Sequence, residues 1–533
     1  MAEKKGQNYL HGAAILTAGV VIMKILGALY KVPLSNLIGD DGYSMFIATY
    51  NVYNVFLTLS TAGLPIALAR MISEAHAEGR EMQVRRTFSV AWWTFFGIGL
   101  VCTLVMLLFP ELIAGRILHN PPAAMSIRAM APSVLLVCLV SAYRGYCQGH
   151  GNMIPTTVGQ VLEVLVKVGV GLVLAWLVIR AGRGKPMGSA AAIFGVTVGS
   201  AAALLYMWLY KRRHYREETL ETPDAPDSAG SIFRRFLKIG IPIALGSSVL
   251  AILNLVDSGL TMERLQHAAH FHLNEAQTLY GVYGKAQTIF NLPAAIITPL
   301  TISIVPAITA AIVKGEDDNA TKISEDSLRI ASVLAMPMGV GLAVLSRPIM
   351  QVLYPGSHGA GPMLLGIMGI ASFFVCMVLV ENAILQASGK ELLPMITMIV
   401  GGVVKVVLNY FLVADPRINI YGAPVGTLVS YVVMAVMNFV IMCFVLDKNP
   451  KLRNILVLPL VCSVTMGACA WGVYGIGERF FHGRFGVLLS MGIAILAAVV
   501  VYLILTVLLR MITKEDMRLI PGGDKIAKLL HMK

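Results

Sequence analysis

Eight ionisable side chains stand inside long apolar runs of this chain. Five are cationic, Lys24, Lys31, Lys167, Lys285 and Lys405, and three are acidic, Glu163, Asp257 and Glu381. Holding a charge away from water is costly, so each of them needs an opposite charge, a polar cavity or an ion. The excess of ammonium groups favours an anion as the group they meet. Lys24 and Lys31 are seven residues apart, which sets them two turns apart on one face of a helix. Either they line a wet cavity or they snorkel toward an interface. Glu163 and Lys167 are spaced i,i+4 in the stabilising order and can neutralise each other. Asp257 is the sole acid of its run, and the candidates to stand beside it are the neutral oxygens of Asn409 and Thr427 or the ammonium of Lys405.

The runs that must position these groups dominate the chain. Of 533 residues, 57% are apolar and 13% charged, and the mean hydropathy is +0.74. A soluble domain carries about 25% charged residues, so a soluble enzyme is excluded, as are disordered, collagenous and disulfide-stapled classes. Charge-free runs such as 485–509 match a hydrocarbon core about 30 Å thick. Spans of that length satisfy their backbone only as helices. Fourteen are expected, the first two at 10–38 and 43–72 and the last at 485–512. The first run carries Lys24 and Lys31 and ends without a small-residue cleavage site, so it reads as a span and not as a cleaved leader. The net charge of +13 sits mostly between the runs, which points to anionic lipid and away from nucleic acid. Lys and Arg concentrate on one side, placing both termini in the cytoplasm. The seven cysteines show no CxxC spacing and read as buried free thiols.

The longest polar break, 211–235, separates two halves. Gln148, Gly151 and Lys167 recur 238 positions later as Gln386, Gly389 and Lys405. An even number of spans per half makes the repeat parallel, with a pseudo-two-fold axis normal to the membrane. The expected fold is therefore an all-α polytopic membrane protein. It has an N-lobe of six helices (1–210), a cytoplasmic linker (211–235), a C-lobe of six (236–446), two extra helices (447–512) and an amphipathic tail on anionic lipid (513–533). In the repeat register Arg144 and Glu381 are nearly equivalent at the cytoplasmic ends of the fourth and tenth spans, and they are expected to pair as a gate.

Particular segments carry a family likeness. Met23-Lys24-Ile25-Leu26-Gly27 with Lys31, Pro33 and Leu37-Ile38-Gly39, then Gly63-Leu64-Pro65-Ile66-Ala67 and Tyr143-Arg144-Gly145-Tyr146-Cys147-Gln148-Gly149, resemble the stage V sporulation protein B and MurJ-like lipid II flippases of the multidrug/oligosaccharidyl-lipid/polysaccharide exporter superfamily. Asn291-Leu292-Pro293, Val305-Pro306-Ala307 and Ile384-Leu385-Gln386 extend the likeness through the second half. The resemblance implies two lobes that open alternately to each side of the bacterial cytoplasmic membrane and move an undecaprenyl-linked glycolipid. The implied cargo is peptidoglycan precursor, with cell-wall synthesis machinery as partner. It assigns Lys24, Lys31 and Lys285 to the diphosphate, although Lys285 also fits an interfacial anchor. It implies a sodium ion or proton as the only cofactor, coupled through Asp257, Asn409 and Thr427. A multidrug antiporter of the same superfamily is the alternative, whose cationic cargo would favour an acidic cavity.

His267, His270 and His272 have the spacing of a metal cluster but no nearby Cys or paired acid, and they read as a wet external loop. No Walker, GxSxG, HExxH or CxxC motif is present, so no catalytic residue and no metal site is expected.

Overall fold

The computed structural model describes residues 2–61, 63–215, 224–446, 453–509 and 511, with side chains at Met23 and from Leu26 onward except at 60 and 454. Its long helices are α1 (Ala2–Thr61), α2 (Leu64–Ala77), α3 (Glu81–Leu108), α4 (Ala124–Gly149), α5 (Ile154–Arg180), α6 (Lys185–His214), α7 (Ala229–Glu263), α8 (Leu273–Val313), α9 (Asp317–Val344), α10 (Gly361–Ala387), α11 (Leu392–Leu412), α12 (Gly422–Val445), α13 (Leu458–Phe480) and α14 (Gly483–Leu508). The described residues include no strand. Thirteen stretches among them are long and apolar enough to cross a membrane. The chain is a multi-pass membrane protein.

Helix α1 accounts for the difference from the fourteen expected spans. Its 60 residues would extend about 90 Å as one rod, about three bilayer cores. Gly39 interrupts it at φ +74° and ψ 179°, a conformation that a side chain resists. Residues up to 38 form one crossing. The rest of α1, closed at Gly63-Leu64-Pro65, together with α2 forms the next. The first of the thirteen stretches, Leu26–Ala77, thus contains two crossings.

The chain divides into two compact units, residues 1–267 with 271–281 and residues 268–270 with 282–533. This division comes later than the expected boundary at 211–235. The reason is α7, which packs against α1, α2 and α3 of the first unit. Gly63 and Gly240 make that approach possible, because a Cβ on Gly63 would collide with the Gly240 carbonyl oxygen and stand 2.5 Å from Ala244 N. Innermost in the first unit is α4, packed on α2, α3 and α6. Helices α5 and α6 form a tight hairpin, since a Cβ on Gly195 would stand 2.6 Å from Gly171 Cα.

In the second unit α10 is the buried centre, against α9 and α12, while α11 lies on α12. The α13–α14 hairpin packs on α9, and Tyr502 Oη donates to the Val333 carbonyl at 2.7 Å. Large apolar side chains such as Phe485 (77% exposed) and Leu508 (71%) cover the outside of α14, the face a bilayer would cover. All seven cysteines are free.

The repeat is visible in the backbone. After α4, His150 N bonds Tyr146 O, Gly151 N bonds Gln148 O and Asn152 N bonds Cys147 O. After α10, Ser388 N bonds Ile384 O, Gly389 N bonds Gln386 O and Lys390 N bonds Leu385 O, each position displaced by 238. Gly151 (φ +75°) and Gly389 (φ +72°) hold the same left-handed residue of a helix-ending turn. A second pair of corners, at Gly79 (φ +71°) and Gly315 (φ +73°), matches in the same way.

Candidate functional site

The chemistry of the first unit centres on the α4–α5 hairpin. The Gly151 corner folds α5 back along α4, bringing Arg144 Nη2 to 2.9 Å from Glu163 Oε2. Ser200 Oγ, from α6, donates to Glu163 Oε1 at 3.0 Å. Both oxygens of the acid are thereby used. One expectation is corrected here, since Glu163 is answered by Arg144 and not by Lys167; Arg144 is engaged within the first unit, whereas its expected gate partner Glu381 belongs to the second. Helix crossing wins over i,i+4 spacing because Gly199 seats α6 against the Glu163–Lys167 stretch, and the guanidinium brings a charge-assisted bond that reaches between helices. Tyr53, 4% exposed, lies within electrostatic reach of the pair.

Lys167 lies on α5, which packs against α1, and is within electrostatic reach of Lys31. Like charges in a poorly solvated place are stabilised by an anion between them. The side chain of Lys24 lies outside the described residues.

A polar chain joins the start of α8 to α1 and α7, still within the first unit. Asp41 accepts from Lys185 Nζ at 2.8 Å and Thr278 Oγ1 at 2.6 Å. Asn120 donates to Ser44 Oγ at 3.2 Å and accepts from Gln277 Nε2 at 2.7 Å. Tyr280 Oη donates to Ser258 Oγ at 2.7 Å and accepts from Asn51 Nδ2 at 3.4 Å. Asp257, 4% exposed, adjoins this chain on α7.

Asn409 and Thr427 belong to the second unit, so the expected ion set is shared between the two units. The structure places them on the packed helices α11 and α12. Asn409 lies against Gly426, and Thr427 Oγ1 is 3.3 Å from Tyr283 Oη. Lys285, also in this unit, is only 3% exposed and is thus no interfacial anchor. Its Nζ donates to Ser357 Oγ at 3.5 Å and sits 5.2 Å from the Tyr354 ring centre. Ser357 and Tyr354 line a cleft of about 380 Å³ together with Arg347, Gln351 and His358. Deeper in the same unit, Glu381 (2% exposed) adjoins a network in which Thr397 donates to Asn438 at 2.7 Å and Asn438 to Asn382 at 2.9 Å. Its Oε2 has no hydrogen-bond partner among the described residues.

Residues 9–312 match the model of the polysaccharide biosynthesis protein family, and 273–358 match a second model of the same description. The first match covers more than half of the chain. This chain belongs to the polysaccharide biosynthesis protein family. It is 25% identical to the lipid II flippase MurJ of Bacillus subtilis (strain 168), over 96% of this chain and 97% of that one. It is 25% identical to stage V sporulation protein B of the same organism, over 97% and 98%. Among solved structures it resembles lipid II flippase MurJ in an inward closed conformation (TM-score 0.69, 16% identity, 93% of this chain and 98% of that one). It also resembles an inward-facing multidrug resistance MATE transporter (TM-score 0.64, 15% identity, 81% and 98%).

Within this polysaccharide biosynthesis fold, sequence reasoning found the intramembrane charges but missed their partners. The electrostatic influence of Lys167 on Lys31 and the hydrogen bond of Ser200 to Glu163 join different helices. One signal was available: Glu163 recurs in the repeat register as Gly401 and Arg144 as Asn382, so the two members of the ion pair are lost together in the second half.

Proposed function

We propose that this chain is a flippase that moves an undecaprenyl-diphosphate-linked glycolipid, lipid II or a related peptidoglycan precursor, across the bacterial cytoplasmic membrane by alternating access. The observation that carries the reading is the excess of positive charge where α1 packs on α5, Lys31 and Lys167 lying within electrostatic reach of each other while Glu163 is paired with Arg144. Such a site retains positive charge in a poorly hydrated place and suits a diphosphate more than a cation. Lys24 precedes Lys31 by seven residues in the sequence, and in the other unit Lys285 reaches Ser357 and Tyr354, which line a cleft together with Arg347. The full-length likeness to a lipid II flippase supports the same cargo. No covalent step is involved.

Buried oxygens are the candidates for coupling to sodium or protons, Asp257 in the first unit and Asn409, Thr427 and Glu381 in the second. Both termini face the cytoplasm, the membrane's anionic lipids hold the basic loops, and the cell-wall synthesis machinery consumes the cargo. The multidrug antiporter remains the second reading because of the MATE-like fold. Its cationic cargo would meet lysines at the first-unit site.

The test is complementation of a strain depleted of its lipid II flippase. Wild type is expected to restore growth, and Lys31→Ala combined with Lys167→Ala to fail at equal membrane abundance. No rescue by wild type, together with cation-driven drug efflux, would overturn the reading in favour of the antiporter.

A further inference from the structure

Three metal-binding side chains that the flippase reading does not use converge where α2, α3 and α4 end or begin. His76 lies in the last turn of α2, Glu81 is the first residue of α3 and His150 caps α4. One ligand atom from each falls within 4.8 Å of the others, and no second group of this kind occurs among the described residues. His76 Nδ1 and Glu81 Oε1 are 2.6 Å apart, and the two imidazole rings are 5.0 Å apart centre to centre.

The two glycine corners make this meeting possible. Gly79 at φ +71° turns the chain so that Glu81 returns against His76, and the hydrogen bonds preceding Gly151 fix the place of His150. His150 Nδ1 is 2.9 Å from the Tyr146 carbonyl, a bond the ring can make only as donor. That leaves Nε2 with its lone pair, the arrangement in which a backbone carbonyl orients a metal-binding histidine. The ring is further held between Tyr146 (4.5 Å) and Tyr215 (4.9 Å). His76 and Glu81 stay solvent-accessible, so an ion can enter.

The repeat supplies an internal control. The second unit builds both corners with the same hydrogen bonds, yet its counterparts of His76, Glu81 and His150 are Ile312, Asp317 and Ser388. The corner itself needs no imidazole. The histidine pair in the first unit is an addition to a scaffold that stands without it.

We propose that His76, Glu81 and His150 form a binding site for a divalent transition-metal ion of the zinc type, clasping the α2–α3 and α4–α5 corners together. Two neutral imidazole nitrogens and one carboxylate are a set that zinc binds with water in its fourth position. Tetrahedral zinc would draw the ligand atoms to about 3.3 Å from one another. The exposed His76 and Glu81 side chains can supply that movement, while His150 is fixed. The two imidazoles select against magnesium and calcium, which prefer oxygen ligands.

The test uses the full-length protein, purified in detergent and stripped with a chelator. Zinc is expected to bind at one ion per chain and to raise Tm by at least about 2 °C at a hundredfold excess over Kd, with magnesium and calcium without effect. His150→Gln and, separately, Glu81→Gln should weaken zinc binding at least tenfold, whereas His267→Gln should leave it unchanged. Gel-filtration profiles matching wild type show that the variants are folded. If the single-ion binding is absent, or persists in both variants, the proposal falls. Because binding and melting are the only readouts, that failure would leave the flippase reading intact.

Discussion

Arg144 on α4 and Glu163 on α5 form an interhelical ion pair, Nη2 to Oε2 at 2.9 Å, in which the side chains are only 13% and 17% exposed. Removing either partner strands the other charge in a poorly solvated place. Arg144→Ala and Glu163→Ala should each cost about 2–3 kcal/mol, while the double variant should cost less than their sum. Thermal unfolding of the four proteins in detergent measures the coupling. Strict additivity would mean that the pair carries no interaction energy.

Lys31 and Lys167 lie within electrostatic reach of each other, so replacing one removes a like charge from the empty protein and weakens the hold on an anion. Lys31→Gln and Lys167→Gln should therefore leave Tm unchanged or slightly raised. They should also lower affinity for a diphosphate-bearing lipid about tenfold, or about 1.4 kcal/mol. Native mass spectrometry with undecaprenyl diphosphate tests both statements. Unaltered lipid binding in both variants would remove these lysines from the site.

Gly63 and Gly240 allow α2 and α7 to touch backbone to backbone. Gly63→Ala places a methyl group on the Gly240 carbonyl and should force the helices apart, costing about 1–3 kcal/mol by overpacking. Gly97→Ala, where a Cβ meets nothing within 4 Å, is the control and should be neutral or stabilising. Melting curves for the two variants compare the sites.

Glu381 is buried with one oxygen unpaired among the described residues. Glu381→Gln preserves its shape and removes the ionisable group. If Glu381 carries the coupled ion, the variant should lose the dependence of lipid transport on a sodium or proton gradient without loss of Tm. Transport in proteoliposomes under imposed gradients gives the readout, and gradient dependence equal to wild type would remove Glu381 from coupling.

How much of this was legible beforehand depends on distance along the chain. Helical spans follow from the need to satisfy the backbone in lipid, and the repeat followed from three residues at one offset, later matched by whole hydrogen-bonded corners. Charges inside the spans could be named because type and position suffice for that. Their partners could not. Arg144 with Glu163 and Lys31 with Lys167 depend on how α1, α4, α5 and α6 cross, and i,i+4 spacing pointed to the wrong neighbour for Glu163. The break at Gly39 was readable only as punctuation, since helical hydrogen bonding continues on both sides of it and a single glycine carries the turn. The His76, Glu81 and His150 group was invisible because two glycine corners assemble it from segments about seventy residues apart.

Tyr502 hangs from the carbonyl of Val333, and Gly467 lets α13 settle on Val340. The α13–α14 hairpin is thereby fastened along α9. A fluorophore or antibody fragment fixed to the outer surface of α14 would ride with the second unit. That surface carries none of the intramembrane lysines, so it offers a handle for watching the transport cycle without obstructing it.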